Sequence, residues 1–167
     1  MKTGTQRIAR MVGKSTYRDL RDGFTPGALR GDSDADIKLA LGMAQSLAGP
    51  LPVYALETRY ASTLMHERAL LTAWDKRHRE AFPKRAAHVV AIQRVGASLA
   101  VRVFARGNGV AGAVAHYAWL VHTRRETLQD PIDACLAWLQ DQSRDGVNAF
   151  LEAIEGVRVR RRTRRRT

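Results

Sequence analysis

The last ten residues, RVRRRTRRRT, contain seven arginines and no acidic residue. A guanidinium group keeps its proton in proteins, so these closely spaced charges repel one another and cannot enter an apolar core. The fold therefore has to be built from the residues that precede this segment. A polyanion neutralises such dense charge best, because phosphates that bind arginine release their condensed counterions. We predict a disordered arginine-rich tail over residues 157–167.

The rest of the chain is also basic, but its charge is unevenly distributed. The formal net charge is +12, and residues 83–110 carry five cationic side chains and no acid. Residues 1–31 are basic and rich in glycine, which predicts a flexible basic arm. Residues 131–156 instead carry five acids against one arginine. This distribution indicates a phosphate-bearing partner. The alternative is that the tail folds back onto these acids, although exposed ion pairs stabilise by only about 0–1 kcal/mol each.

Between the two basic ends, apolar residues recur at helical spacing, which predicts a single helical domain over residues 32–156. The segment Asp32-Ser-Asp-Ala-Asp has the cap and first-turn residues of a helix that ends at Gly49-Pro50. Asp130-Pro131 has the pattern of another helix start, with proline at the first position. The predicted fold class is all-α, a compact helical bundle. Its helices are expected at residues 32–48, 52–82 in one or two segments, 110–125 and 130–156.

Residues 86–106 have two interpretations. Their many β-branched residues, such as Val89, Val90 and Ile92, favour strands and a β-hairpin that turns at Gly96. Their alanines and the helical segments on both sides favour two helices with a break at Gly96. We predict the two helices and keep the hairpin as the alternative.

Residues 98–139 contain the pattern of a helix-turn-helix. The segment from Leu99 to Gly107, the pair Val114-Ala115 and an apolar seam at residues 132–139 resemble the sigma-factor domain that reads the −35 promoter element, and a similar unit in phage late antiterminators. The resemblance implies a second helix that lies in the major groove and offers its first side chains to base edges. The turn glycine of that family is absent, and Pro131 predicts a loop in place of the first turn of this helix. The residues implied to contact bases are Arg124, Arg125, Thr127 and Gln129, of which the arginines suit guanine.

The predicted phosphate contacts are all basic side chains from the two cationic segments near and after this unit. In residues 83–110 they are Lys84, Arg85, Arg94, Arg102 and Arg106. In the tail they are Arg158, Arg160, Arg161, Arg162, Arg164, Arg165 and Arg166.

The same region also resembles motif A of the N-acetyltransferases that use acetyl-CoA. Leu99-Ala-Val101 would be its strand, and the turn that follows would be Arg106-Gly-Asn-Gly109-Val-Ala111. The resemblance implies that backbone amides of this turn hold the cofactor pyrophosphate at a helix N-terminus. That fold also needs several strands before the motif, where residues 32–82 predict helices.

No set of residues predicts catalysis or a metal site, and we expect no cofactor. The five histidines are scattered, and the single cysteine, Cys135, lies on an apolar helical face where a buried structural thiol is expected. Trp74, Trp119 and Trp138 lie in apolar helical contexts that predict core packing. The chain has no run of about 18 apolar residues, so we expect no membrane span or membrane partner, and a cytoplasmic location.

These observations together predict a non-enzymatic nucleic-acid-binding protein, with DNA favoured over RNA. The helix-turn-helix resemblance favours a transcriptional regulator of phage or mobile-element type, which could act with a protein partner such as RNA polymerase. The alternatives are a basic structural protein, associated with RNA or a particle and lacking sequence preference, and the acetyltransferase.

Overall fold

The computed structural model describes residues 32–60, 62–106 and 111–164. Within these ranges the chain forms six helices and no strand, which confirms the all-α prediction. The basic arm predicted for residues 1–31 lies outside the described residues. The helices are α1 (Asp34–Ala48), α2 (Pro50–Tyr60), α3 (Glu67–Ala81), α4 (Ala87–Arg106), α5 (Ala111–Leu120) and α6 (Arg125–Arg164).

Helix α6 is the central element of the fold. Its 40 residues span about 60 Å at a rise of about 1.5 Å per residue. The first half of α6, through Leu128, Ile132 and Leu139, packs with α3, α4 and α5 into one apolar cluster, the amino-half core. The second half, through Phe150 and Ile154, packs with α1 and α2 into another, the carboxy-half core. One long helix therefore joins two cores, and α2 contributes side chains to both.

Helix α1 begins and ends where the sequence predicts. Its N-cap is Ser33, whose hydroxyl accepts a hydrogen bond from the Asp36 amide, while the Asp36 carboxylate accepts one from the Ser33 amide. This reciprocal capping box satisfies backbone donors that the first turn leaves unpaired. Gly49 then takes a positive φ of 82°, a conformation that glycine adopts without steric cost, and α2 starts at the next residue.

The predicted break at Gly96 is wrong, and so is the hairpin alternative, because α4 is one helix from Ala87 to Arg106. Gly96 is buried against α6, and a Cβ at this position would lie 2.9 Å from Pro131 Cγ. The glycine therefore allows a close helix crossing rather than a chain turn. The β-branched residues are accommodated because Val101 and its neighbours pack in the amino-half core, and such packing overrides local propensity.

The predicted helix start at Asp130-Pro131 is also wrong. Helix α6 begins at Arg125 and contains Pro131, so no loop interrupts its first turns. A proline inside a helix removes one backbone hydrogen bond and crowds the preceding turn. Here the buried side chains of Leu128 and Ile132 flank the proline, and its ring packs on Gly96. These tertiary contacts offset the local cost.

The prediction of a disordered tail is wrong for residues 157–164, which form the last turns of α6. Arg158 and Arg161 reach across to Asp32 and Asp36 at the start of α1. These ion pairs neutralise part of the repulsion between arginines, and cations at a helix C-terminus also complement the helix dipole. The fold-back alternative named the acids of residues 131–156, of which Glu155 pairs with Arg158. Residues 165–167 lie outside the described part of the chain.

Within the part of the chain that the structure describes, α4 alone is long and apolar enough to cross a membrane by length and composition. This differs from the expectation that no segment reaches that limit. One third of the window is buried inside the fold, where Leu99, Val101 and Phe104 join the amino-half core. A single helix that meets this limit is weak evidence for a membrane span.

Candidate nucleic-acid interface

The predicted phosphate contacts of residues 83–110 lie on α4 and on the segment before it. Lys84, Arg94, Arg102 and Arg106 are exposed, whereas Arg85 is half-buried and donates a hydrogen bond to Gln93. Arg94 pairs with Asp75 of α3, and Arg102 pairs with Glu67. Because the later residue of α4 meets the earlier residue of α3, the two helices run antiparallel.

A groove of about 460 Å³ lies between α3 and α4. Leu71, Trp74 and Ala97 give it apolar lining, while the basic residues come from both helices and from the connection between them. We call this feature the arginine groove. Its basic residues are Arg68, Arg79, Arg85 and Arg94.

Two acids, Glu67 and Asp75, line the arginine groove together with its four arginines and leave it with an excess of positive charge. Asp75 Oδ2 lies 3.0 Å from Arg79 Nη2 and 3.4 Å from Arg94 Nη2, so two guanidinium groups share one carboxylate. Both arginine side chains are 66% exposed. Ion pairs this open to water stabilise a fold by only about 0–1 kcal/mol. These arginines can therefore exchange the carboxylate for an incoming phosphate at small cost.

Sequence reasoning missed Arg68 and Arg79, because acids and bases alternate along α3 and make the segment look like an ordinary solvated face. The two arginines are eleven residues apart, which is about three helical turns, so they lie on the same face. The sequence therefore shows that Arg68 and Arg79 share a face of α3. It does not show that this face lies next to Arg85 and Arg94, because that depends on the packing of α3 against α4.

A row of four aromatic rings lies between α6 and the C-terminal end of α3. Trp138 of α6 contacts Trp74 at a centroid distance of 5.4 Å, Trp74 contacts His78 at 4.5 Å, and His78 stacks on Phe82 at 5.8 Å. Trp74 is 6% exposed and Phe82 is 55% exposed. We call these residues the aromatic row.

A second cavity, of about 440 Å³, lies between α3 and α6 along the aromatic row. All four rings line it, and Arg77 stands beside them. We call it the aromatic cleft. Trp74 and His78 line both this cleft and the arginine groove, so the two cavities lie on opposite sides of one pair of side chains.

The surroundings of His78 favour the neutral form of its imidazole. Burial lowers the pKa of its imidazole, and the nearby positive charges of Arg85 and Arg77 lower the pKa further, against a smaller opposing effect of Asp75. The Nδ1 atom of His78 and the Nε1 atom of Trp74 are buried and have no hydrogen-bond partner among the described residues. These two buried nitrogen atoms therefore differ from most buried polar groups, which are hydrogen-bonded.

The arginines at the end of α6 are arranged differently. Arg158 binds Asp32 through two hydrogen bonds, Nε to Oδ1 at 3.1 Å and Nη2 to Oδ2 at 2.6 Å. The Asp32 side chain is 2% exposed and that of Arg158 is 20% exposed. Hydrogen bonding to Asp32 is the main cause that raises the pKa of Arg158. Arg161 Nη1 lies 3.1 Å from Asp36 Oδ2. These two predicted phosphate contacts hold α6 against α1.

The remaining arginines of the tail are either exposed or outside the described residues. Arg160, Arg162 and Arg164 are exposed on the last turns of α6, and Arg165 and Arg166 lie outside the described residues. The outer turns therefore offer some cationic surface beyond the pairs with α1.

The residues predicted to contact bases lie at the start of α6. Arg124, Arg125 and Thr127 are exposed, while Gln129 is half-buried and donates a hydrogen bond of 2.8 Å to Asp133. Arg124, Arg125 and Thr127 are therefore accessible to a ligand, and they lie in the first turn of α6 or directly before it.

The turn between α5 and α6 forms without the glycine of the resembled family. His122 takes a positive φ of 50°, the Thr123 amide donates to the Ala118 carbonyl at 2.9 Å, and the His122 amide donates to Trp119. This pair of bonds is the Schellman arrangement that usually requires glycine. Histidine is among the residues enriched in this conformation. Next to the turn, Trp119 is 70% exposed, so its predicted core position is wrong.

The other side chains that could take part in catalysis or bind a metal make mainly structural contacts. Cys135 is fully buried, as predicted, and burial raises the pKa of its thiol to about 12, which keeps it protonated. His66 Nε2 lies 2.5 Å from Glu57 Oε2, and its ring stacks on Tyr54. Among the described residues, no group of three or more His, Cys, Asp or Glu side chains could hold a metal ion. The strand required by the acetyltransferase resemblance at residues 99–101 is part of α4.

Comparison with protein-family models, with curated proteins and with solved structures found no match to this chain. Its function therefore has to be inferred from the arginine groove, the aromatic cleft and the two ends of α6.

Proposed function

We propose that this protein binds nucleic acid and that the arginine groove holds the phosphate backbone. The observation that carries the proposal is the sharing of Asp75 by Arg79 and Arg94, both of which are mostly exposed. A phosphate oxygen can replace the shared carboxylate as the acceptor for either guanidinium. Arginine suits this role because its planar fork matches a phosphate group with two parallel hydrogen bonds.

Further cations lie around the groove in the same part of the molecule. Lys84 precedes α4, while Arg102 and Arg106 lie farther along that helix and are exposed. Together with the groove arginines they supply the extended basic surface that non-specific phosphate binding requires. The proposed role is binding without catalysis, in the cytoplasm, by a chain whose net charge of +12 favours polyanions.

A salt titration tests this proposal. Fluorescence anisotropy of a labelled oligonucleotide should give a binding constant that falls as salt rises. The double variant Arg79→Gln, Arg94→Gln should lower the slope of log binding constant against log salt by about one to two units. Lys38→Gln is the control for the loss of a positive charge, since Lys38 is exposed on α1, which packs in the carboxy-half core and lines neither cavity. Equal slopes for the double variant and the wild type, or no binding in dilute buffer, would contradict the proposal.

A second candidate function is sequence-specific reading of duplex DNA by α5 and α6, as in a transcriptional regulator of phage type. The turn closed by His122 and the exposed Arg124 and Arg125 at the start of α6 favour it. A protein partner such as RNA polymerase would fit this role. Arg124→Ala with Arg125→Ala should then reduce the preference between DNA sequences by about 1–3 kcal/mol for each bidentate arginine–base pair that the substitutions remove. A loss of affinity that is equal on all sequences would count against base reading.

A further inference from the structure

We infer that the nucleic acid held by the arginine groove is single-stranded and that its unpaired bases stack in the aromatic cleft. This inference rests on the proposed function and names the form of nucleic acid that the site takes. Proteins that bind single strands combine a cationic path for the backbone with aromatic rings for successive bases. Both parts are present around the C-terminal half of α3.

The two cavities are placed so that one strand can use both. The arginine groove lies on the α4 side of α3 and the aromatic cleft on its α6 side, and His78 lines each of them. A strand that crosses α3 at this residue has phosphates beside Arg79 and Arg94. Its bases then reach the cleft on the other side.

The aromatic row supplies the stacking surface. Phe82 is more than half exposed and ends the row, and its ring stacks on the imidazole of His78. A large exposed ring at this position leaves an apolar face in water, which a base would cover. Arg77 is exposed beside the rings and can place its guanidinium over a stacked base.

Small side chains keep the cleft open. Ala81 of α3 and Ala134 and Ala137 of α6 line it together with the four rings, and their short side chains leave space beside the rings. Asp141 also lines the cleft, and its carboxylate pairs with Arg144. The bases of a duplex cannot enter such a cavity, because they are stacked on one another and the duplex presents mainly phosphates to a protein surface. An unpaired base can enter, since its faces are free.

The N-terminal arm of the chain is a poor alternative occupant. Residues 1–31 carry seven lysines and arginines against two aspartates, and like charges oppose contact with the arginine groove. The ligand that complements both cavities has regularly spaced negative charges and flat apolar rings, as a single strand of DNA or RNA does.

The experiment compares strands of the same sequence. Labelled single-stranded DNA and RNA of about 12 nucleotides, a length within the usual site sizes, and the blunt DNA duplex are titrated with the full chain at one salt concentration. Both single strands should bind at least about tenfold more tightly than the duplex, and they should quench tryptophan fluorescence from Trp74 and Trp138. Phe82→Ala should weaken single-strand binding by about 5- to 100-fold and duplex binding by less than about twofold.

Two further variants make the result decisive. Trp119→Ala removes another exposed aromatic ring, on α5, and should leave single-strand affinity unchanged. Phe82→Leu keeps apolar bulk but lacks the aromatic face, so it should weaken single-strand binding while circular dichroism stays that of the wild type. Equal affinity for duplex and single strand, or equal losses of both in Phe82→Ala, would overturn the inference and leave the proposed function standing. No binding of any oligonucleotide in dilute buffer would instead remove the proposed function.

Discussion

The two halves of this molecule use arginine in opposite ways. In the carboxy half, Arg158 binds an aspartate that is almost fully buried, and Arg161 adds a second pair to the start of α1. In the amino half, Arg79 and Arg94 share the single carboxylate of Asp75 and remain mostly exposed. The first arrangement fixes one helix against another, whereas the second leaves charge available to a ligand.

This difference shows that the density of arginine along a sequence does not locate an interface. The tail has the highest density, yet Arg158 and Arg161 are engaged by acids at the start of α1. The burial of the whole ion pair is the deciding quantity: the Arg158 and Asp32 side chains are 20% and 2% exposed, whereas those of Arg94 and Asp75 are 66% and 18% exposed. A guanidinium that is paired with a buried carboxylate is held there by the cost of leaving that carboxylate alone, but one paired at the surface is not.

The largest expected effect separates these two kinds of arginine. Arg158→Ala leaves the buried Asp32 carboxylate without its two hydrogen bonds, so the free energy of unfolding should fall by about 3 kcal/mol. Arg94→Ala should cost less than about 1 kcal/mol, because its ion pair is open to water. Urea denaturation of both variants measures the contrast.

Two additional variants check the cause. Arg158→Lys keeps the charge but loses the bidentate geometry, so it should recover only part of the loss. Adding Asp32→Asn to Arg158→Ala should restore some stability, since a neutral amide is cheaper to bury than an unpaired carboxylate. Similar losses for Arg158→Ala and Arg94→Ala would break the comparison between the two halves.

A somewhat smaller effect is expected where helices cross closely in each half. A Cβ on Gly146 would lie less than 3.0 Å from the backbone carbonyl of Pro52, whereas a Cβ on Gly96 would meet the side chain of Pro131. Backbone yields less readily than a ring edge. Gly146→Ala should therefore cost about 2 kcal/mol and Gly96→Ala about 1 kcal/mol.

Gly42 provides the control for this pair of variants. It lies in the middle of α1 and has nothing within 4 Å of an added Cβ. Gly42→Ala should stabilise the protein by up to about 1 kcal/mol, because alanine loses less backbone entropy in a helix. A larger cost at Gly96 than at Gly146 would mean that the amino half is the more tightly packed of the two.

Local signals in the sequence were sufficient for the fold class and for the ends of α1. Apolar periodicity, the Ser33 cap and Gly49-Pro50 depend on neighbouring residues only, so they can be read without the fold. Gly96 and Pro131 mislead for the opposite reason. Each looks like a break when taken alone, but the two residues pack on each other across a helix crossing, and no local pattern contains that contact.

The candidate site was only partly predictable for the same reason. Lys84, Arg85, Arg94, Arg102 and Arg106 could be proposed from the sequence because residues 83–110 carry cations and no acid. Of these five, Arg85 and Arg94 line the arginine groove. The aromatic row was missed, since Trp138 is separated from Phe82 by more than fifty residues and the rings meet only when α3 packs on α6. The partners of Arg158 and Arg161 were missed because Asp32 and Asp36 lie more than a hundred residues away in sequence.

The smallest expected effect concerns His78, which links the two cavities of the amino half. Its pKa is lowered in the folded state from an ordinary value of about 6.5, so between these two pKa values the unfolded chain binds more protons. The contribution of neutral His78 to the free energy of unfolding should therefore be fully present above pH 6.5. The free energy of unfolding should fall as the pH drops below that value. His78→Gln should flatten this dependence, while His88→Gln, which removes an exposed imidazole from α4, should retain it. Urea denaturation at several pH values between 5 and 7 measures the difference. A wild-type profile that stays level across this range would show that the folded protein accommodates a charged His78 as readily as water does, and the row of rings would then be more open than its packing indicates.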